Sequence, residues 1–232
     1  MIRRDRGFRG ARTPSLRLAA VAGFLAAVFV GAGCTGVRTI ADPVVVVETR
    51  GGRELGVSTE YGLAFLGRTA QSGPASLTAW FGDGPQTERS AIEPIGGGLF
   101  TAQVEIRFPE AAMCFEEPRP GDSVIVVGRR HGERWDKSVK VRKDPRVEGL
   151  LLPTVSEIER SPEQVGAGVF VERDGVPNPE LVGLVSGVVT LTENGTTERY
   201  LTVVGMRDLW RLVAHRRELD RRRPLPSRED VR

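Results

Sequence analysis

The chain has 232 residues, of which 40% are hydrophobic and 27% charged, with a formal net charge of +3 and a pI near 9.2. These values are typical of a globular protein and exclude a collagen-like chain, a disulfide-rich miniprotein and a fully disordered chain. The positive charge lies at the two ends, because residues 1–33 hold six Arg and one Asp, and 215–232 hold seven Arg and four acids. Residues 34–214 are mildly acidic, so the composition predicts no nucleic-acid partner.

The first 33 residues have the pattern of an export signal. An Arg-rich start is followed by thirteen uncharged residues, 18–30, and then by the small residues 31–33. As a helix these thirteen residues would rise about 20 Å, which is less than the ~30 Å hydrocarbon core of a bilayer. The pattern predicts a signal peptide over 1–33.

The residues Gly31-Ala32-Gly33-Cys34 resemble a bacterial lipobox, in which the cysteine is acylated and the precursor is cut before it. The aliphatic residue usual at the first position lies one place earlier, at Val30. The resemblance implies lipidation of Cys34 and a lipid anchor in the bacterial cell envelope. Because the residue after the cysteine is Thr35, the resemblance favours a location in the outer membrane or on the cell surface. Plain secretion and an uncleaved anchor remain as alternatives. With Cys34 lipidated, Cys114 would have no disulfide partner within the chain.

The rest of the chain alternates short apolar runs with turn signals. Residues 34–57 are predicted to be a linker with a first strand at 44–47, and Asn194-Gly195 is predicted to form a hairpin turn. The other predicted strands are 61–66, Ala75–Phe81, 99–108, 123–128, 137–142, 168–172, 181–191 and 199–205. Many short strands predict an all-β barrel or sandwich.

One helix is predicted near the C-terminus. Met206, Leu209, Trp210 and Val213 recur at intervals of three or four residues, so a helix is expected from 206 to about 219, with an apolar face made by these four. Residues 215–232 would then be the helix end and a basic tail without fixed structure.

Three segments resemble the second barrel of trypsin-like serine peptidases. They are 120–128 (PGDSVIVVG), 165–175 (VGAGVFVERDG) and 180–187 (ELVGLVSG), in the order and spacing of that family. Residues 76–81 (SLTAWF) resemble the Leu-Thr-Ala-Ala-His segment of its first barrel. The resemblance covers 58–214. It implies an all-β double barrel with one C-terminal helix, the first barrel over about 58–118, the second over 119–205, and the helix from 206.

The chain departs from this family at the residues that perform the chemistry. In the alignment, Val165 takes the place of the nucleophilic serine, Gln164 that of the preceding Asp, and Phe81 that of the histidine. The triad Asp would fall near 96–100, where there is no acid. Because the mechanism needs a nucleophile, an imidazole and a carboxylate, we expect no triad catalysis.

The sequence therefore predicts an envelope-tethered, catalytically inactive trypsin-like domain that acts as a binding or scaffold module. Expected partners are the membrane, through the lipid, and an envelope protein or peptide. No cofactor or metal is expected, because the two His, 131 and 215, have no ligand-spaced neighbours. Two alternatives remain: a serine hydrolase that uses non-standard residues such as Ser156, Ser161 or Ser186, and an unrelated small β-barrel lipoprotein.

Overall fold

A computed structural model of the chain describes residues 42–70, 73–154, 164–193 and 195–222. The signal peptide, Cys34, Ser156, Ser161, Asn194 and the tail from 223 lie outside these ranges. The described residues all belong to one compact unit. Its elements in chain order are β1 Val44–Thr49, β2 Gly52–Thr59, β3 Gly62–Phe65, β4 Ala75–Phe81, β5 Gly84–Ser90, β6 Ile92–Gly96, β7 Leu99–Ala102, β8 Ser123–Arg130, β9 Glu133–Lys140, β10 Leu150–Pro153, β11 Gly168–Val171, β12 Glu180–Glu193, β13 Thr196–Gly205 and α1 Met206–Arg222.

The first seven strands form one antiparallel sheet in the order β5-β4-β1-β2-β3-β7-β6. The alternating burial of Ala75–Phe81 explains why β4 has the predicted bounds. The boundary predicted at residue 58 falls inside β2, and both β1 and β2 belong to this sheet. The strand predicted over 99–108 is shorter, since β7 ends at Ala102 and Phe108 is buried separately as part of the loop that follows.

The other six strands form a second antiparallel sheet in the order β10-β13-β12-β11-β8-β9. The hairpin predicted around Gly195 is confirmed, because β12 and β13 pair from Gly183 with Gly205 to Glu193 with Thr196. The register of this pair shifts between Val185 and Gly187, which leaves Ser186 as an irregular position.

The larger hydrophobic cluster joins the two sheets and the helix. It contains Leu55 and Val57 of β2, Leu184 of β12 and Leu209 of α1, among others. A smaller cluster draws on the first sheet and the loop after β7, with Val45, Leu77 and Phe108 among its members. Because the larger cluster draws on both sheets, packing between them stabilises the whole unit.

A buried ion pair also links the sheets. Arg129 of β8, 5% exposed, donates to the carboxylate of Asp42 just before β1, and its guanidinium lies 3.6 Å from the ring centroid of Trp80 in β4. The pKa of Arg129 is lowered, because the effect of burial outweighs the opposing effect of the Asp42 carboxylate. The pair connects the beginning of the first sheet to a strand of the second.

The predicted helix begins at Met206 as expected and extends to Arg222. Its buried residues are Met206, Leu209, Leu212 and Val213. Trp210 was expected on this apolar face, but it is 42% exposed, because its position lies to one side of the buried stripe. No helix among the described residues is both long enough and apolar enough to cross a bilayer.

Candidate functional site: the loop before β11

The loop formed by residues 164–167 lies where the two sheets meet. The backbone N–H of Leu55 in β2 donates to the carbonyl of Val165 at 3.0 Å, and Gly166 N–H donates to the carbonyl of Val185 in β12 at 2.7 Å. Within the loop, Ala167 N–H donates to the carbonyl of Gln164 at 3.1 Å. The loop is therefore held by a strand of each sheet.

Gly166 allows this close approach. Its φ is +84°, and a Cβ built on it would lie 1.8 Å from the carbonyl oxygen of Leu55. No other residue fits at this distance, and only glycine adopts the left-handed conformation readily.

The side chains of the loop offer no nucleophile. Val165 is half-buried and packs against the larger hydrophobic cluster. The amide oxygen Oε1 of Gln164 is buried without a hydrogen-bond partner, and an amide is neither a nucleophile nor a base at neutral pH. The hydroxyl of Ser186 in β12 is bonded to the hydroxyl of Thr202 at 2.9 Å. Ser156 and Ser161 lie outside the described residues.

Phe81 lies at the end of β4 and packs with the other cluster. Its ring meets that of Phe108 edge-on, with centroids 6.5 Å apart. Strand pairing relates Thr78 to Val46 and Val46 to Leu55. Phe81 is thus three residues along and two strands across from Leu55, or roughly 14 Å away. Phe81 and Val165 also pack against different hydrophobic clusters, and β4 does not pair with β2, whose Leu55 bonds to the loop.

The segment that follows β3 is held by the residue that directly precedes Leu55. Glu54 of β2 is 2% exposed, and its carboxylate accepts bonds from Arg68 N–H at 3.3 Å, Thr69 N–H at 3.2 Å and the Thr69 hydroxyl at 2.9 Å. The residue that fixes the turn after β3 is thus the direct neighbour of Leu55, whose N–H bonds to Val165. Glu54 was not among the predicted site residues, because it lies in a polar stretch predicted to be part of a linker.

Arg68 brings a cation to the space between the two sheets. Its side chain is exposed, and a guanidinium nitrogen lies 3.7 Å from where a Cβ on Gly187 of β12 would be. The turn after β3 in the first sheet therefore places an arginine beside the backbone of β12 in the second sheet.

Both histidines lie on other elements. His131 is in the turn between β8 and β9, with φ of +51°. His215 is on α1, with its ring nitrogen Nε2 3.4 Å from the carboxylate of Glu93. Across the described ranges, no three His, Cys, Asp or Glu side chains are grouped so that they could hold a metal ion.

Two solved structures with this architecture are proteases. The protease domain of MamO from Magnetospirillum magneticum matches with a TM-score of 0.53 and 20% identity, over 76% of this chain and 97% of that one. A serine endoprotease from Yersinia pestis matches with a TM-score of 0.54 and 15% identity, over 78% of this chain. The chain has the double β-barrel fold of the trypsin-like serine proteases. The match spans 64% of the Yersinia chain. No family model and no curated protein matches the sequence.

Proposed function

We propose that this protein is a catalytically inactive trypsin-like domain, tethered to the bacterial envelope, that acts as a binding or scaffold module. The observation that carries the proposal is the position of Val165. It lies in the loop that both sheets hold in place, and a Val side chain cannot attack a carbonyl.

The surroundings of Val165 support the loss of catalysis. The hydroxyls of Thr69, Ser186 and Thr202 near this junction are already hydrogen-bonded: Thr69 donates to Glu54, and Ser186 and Thr202 bond to each other. A base would have to be an imidazole in the usual mechanism, and the two histidines are in a β-turn and on α1. Removing nucleophile and base together eliminates nearly all of the rate enhancement of a triad.

Retention of a binding role is supported by Arg68, whose exposed guanidinium lies beside Gly187 of β12. This guanidinium would pair with an acidic group of a bound peptide, and extended peptides add to an exposed strand edge by main-chain hydrogen bonds. An envelope protein or peptide is therefore the proposed partner.

A fluorophosphonate probe tests the loss of catalysis. We expect no covalent labelling of the purified protein under conditions in which trypsin in a parallel tube is labelled. Labelling of any serine, mapped by mass spectrometry, would favour a hydrolase with non-standard residues. A Ser186→Ala variant would then show whether Ser186 is the labelled residue.

Membrane fractionation tests the tether. We expect Cys34→Ala to move the protein from the membrane fraction to the soluble fraction, whereas Cys114→Ala, at the only other cysteine, leaves it in the membrane. Unchanged fractionation of Cys34→Ala would contradict lipidation at this residue. Separation of the two membranes by density would test the proposed outer-membrane or surface location.

A further inference from the structure

A pair of stacked aromatic rings lies on the protein surface. Among the described residues, the exposed large hydrophobic side chains are Phe115 at 44% and Trp210 at 42%. Their rings stack with centroids 4.7 Å apart, and the ring of Tyr61 meets Phe115 edge-on at 6.4 Å. Contiguous exposed aromatic surface is typical of an interaction site.

The helix face around Trp210 is positively charged. At 100° per residue, Arg207, Trp210, Ala214, Arg217 and Arg221 fall within an arc of about 80°. All five are exposed, and the Arg217 guanidinium lies 6.0 Å from the Trp210 ring centroid.

The acids of the helix lie outside this arc and are paired. Asp208 is 3.6 Å from Arg211, Asp220 is 3.3 Å from Arg216, and Glu218 is bonded to Arg222. Glu116, next to Phe115, is bonded to Arg173 at 2.7 Å. The face therefore combines aromatic rings with three arginines, and we refer to Arg207, Trp210, Arg217 and Arg221 together with Phe115 as the aromatic–arginine face.

The chain from Cys34 reaches the domain near this face. Ser58 N–H donates to the carbonyl of Pro43 at 2.8 Å, and Ser58 is three residues before Tyr61. The nine residues from 35 to 43 can span at most about 30 Å. A lipid on Cys34 would therefore keep the aromatic–arginine face close to the bilayer.

We propose that the aromatic–arginine face docks on an anionic lipid surface; this rests on the lipid tether proposed above. Trp210 enters the interfacial region, where amphipathic aromatic rings are favoured, Phe115 adds apolar surface beside it, and the three arginines bind lipid phosphates. A membrane is favoured over an acidic protein because the tether supplies the membrane at high effective concentration. One anchor combined with a basic surface also binds more durably than either does alone.

Vesicle co-sedimentation of a chain that begins at Thr35, and so lacks the lipidated cysteine, tests the face by itself. We expect binding to vesicles that contain phosphatidylglycerol, weak binding to pure phosphatidylcholine, and loss of binding at high salt. Arg207→Gln/Arg217→Gln/Arg221→Gln should weaken partition on the order of a hundredfold, since each arginine near an anionic surface contributes about fivefold. Trp210→Ala should weaken it too, and circular dichroism would check that each variant is folded.

The matched control is Arg211→Gln/Arg216→Gln/Arg222→Gln, which makes the same change in net charge at helix arginines outside this arc, each of them paired with an acid. We expect it to weaken partition by only a few-fold. Equal loss in both triple variants would show that net charge alone drives binding, and would overturn the proposal. Absence of wild-type binding to phosphatidylglycerol vesicles would also overturn it.

The vesicle result for the aromatic–arginine face can be told apart from the fractionation result for the lipid tether. If Cys34→Ala releases the protein in cells but the chain from Thr35 ignores anionic vesicles, the tether stands and the docking face does not. If that chain binds a poly-glutamate peptide and no vesicle, the face is a site for an acidic protein, and the membrane assignment is wrong.

Discussion

The two barrels differ in where they bury polar groups. Five of the six buried polar or charged side chains in the described residues belong to strands of the first barrel: Glu54, Ser58, Thr59, Ser90 and Thr101. The sixth, Arg129, is in the second barrel, and it is bonded to Asp42 at the start of the first.

This difference explains why the second barrel is easier than the first to recognise from the amino-acid sequence. Its strands β8, β11 and β12 are apolar runs bounded by turn signals, so their sequence reports their burial directly. In the first barrel, β2 (GRELGVST) is buried from Glu54 to Thr59 although its sequence is largely polar. Such a strand is stable only because contacts from elsewhere in the chain satisfy its polar groups.

The contacts that join the barrels should be the most sensitive to mutation. Gly166→Ala would place a Cβ against the carbonyl of Leu55 in a left-handed conformation. We expect it to reduce the free energy of unfolding by about 4 kcal/mol or to prevent folding. Urea denaturation followed by circular dichroism measures the change.

Gly175→Ala is the matched control for this substitution. Gly175 has nearly the same φ, +82°, but nothing lies within 4 Å of its would-be Cβ. Backbone strain alone should cost about 1 kcal/mol there. Similar losses for the two variants would show that the junction with Leu55 is not crowded.

The ion pair between the barrels should come next. Asp42→Asn leaves the Arg129 guanidinium buried without a counter-charge, and we expect a loss of about 3 kcal/mol in the free energy of unfolding. Asp208→Asn removes one partner of the exposed pair with Arg211 and should change it by less than about 0.5 kcal/mol. A loss for Asp42→Asn no greater than for Asp208→Asn would mean that water reaches Arg129.

A smaller effect is expected within the first barrel alone. Glu54→Ala removes the acceptor of three hydrogen bonds from Arg68 and Thr69, and should cost about 2 kcal/mol. Glu48→Ala, on the neighbouring strand with a half-exposed side chain, is the control and should cost less than about 1 kcal/mol. Hydrogen exchange at Arg68 and Thr69 should also accelerate in Glu54→Ala; unchanged protection there would contradict the assigned role.

The smallest effect is expected on the surface of the second barrel. Between β9 and β10, hydrogen bonds from Arg146 lower the pKa of Asp144 to about 2. Because the folded pKa is below the unfolded one, ionised Asp144 favours the folded state above about pH 4, and this contribution is lost as the pH falls towards 2. Carboxyl NMR titration should show the pKa return towards 3.8 in Arg146→Gln. Arg173→Gln, at an exposed arginine elsewhere, should leave it unchanged, and a shift there would indicate a general charge effect.

Local patterns were sufficient for several elements. Alternating burial gave β4 its predicted bounds, the turn around Gly195 produced the β12–β13 hairpin, and spacing by three and four residues placed the start of α1 at Met206. The motif around Gly166 also located the second-barrel part of the candidate site, which is the loop before β11. The first-barrel half depended on strand pairing, which places the turn after β3, and not Phe81, beside Leu55.

By itself the sequence determined that no histidine precedes the second barrel, that valine occupies position 165, and that the net charge lies at the ends of the chain. These are properties of composition and order, which folding does not alter. Only the tertiary structure decided that Glu54 holds the turn after β3, that Arg129 meets Asp42, and that Phe115 stacks on Trp210. Each of these contacts joins residues at least fourteen positions apart, and such contacts depend on how the strands pair and the sheets pack rather than on local propensity.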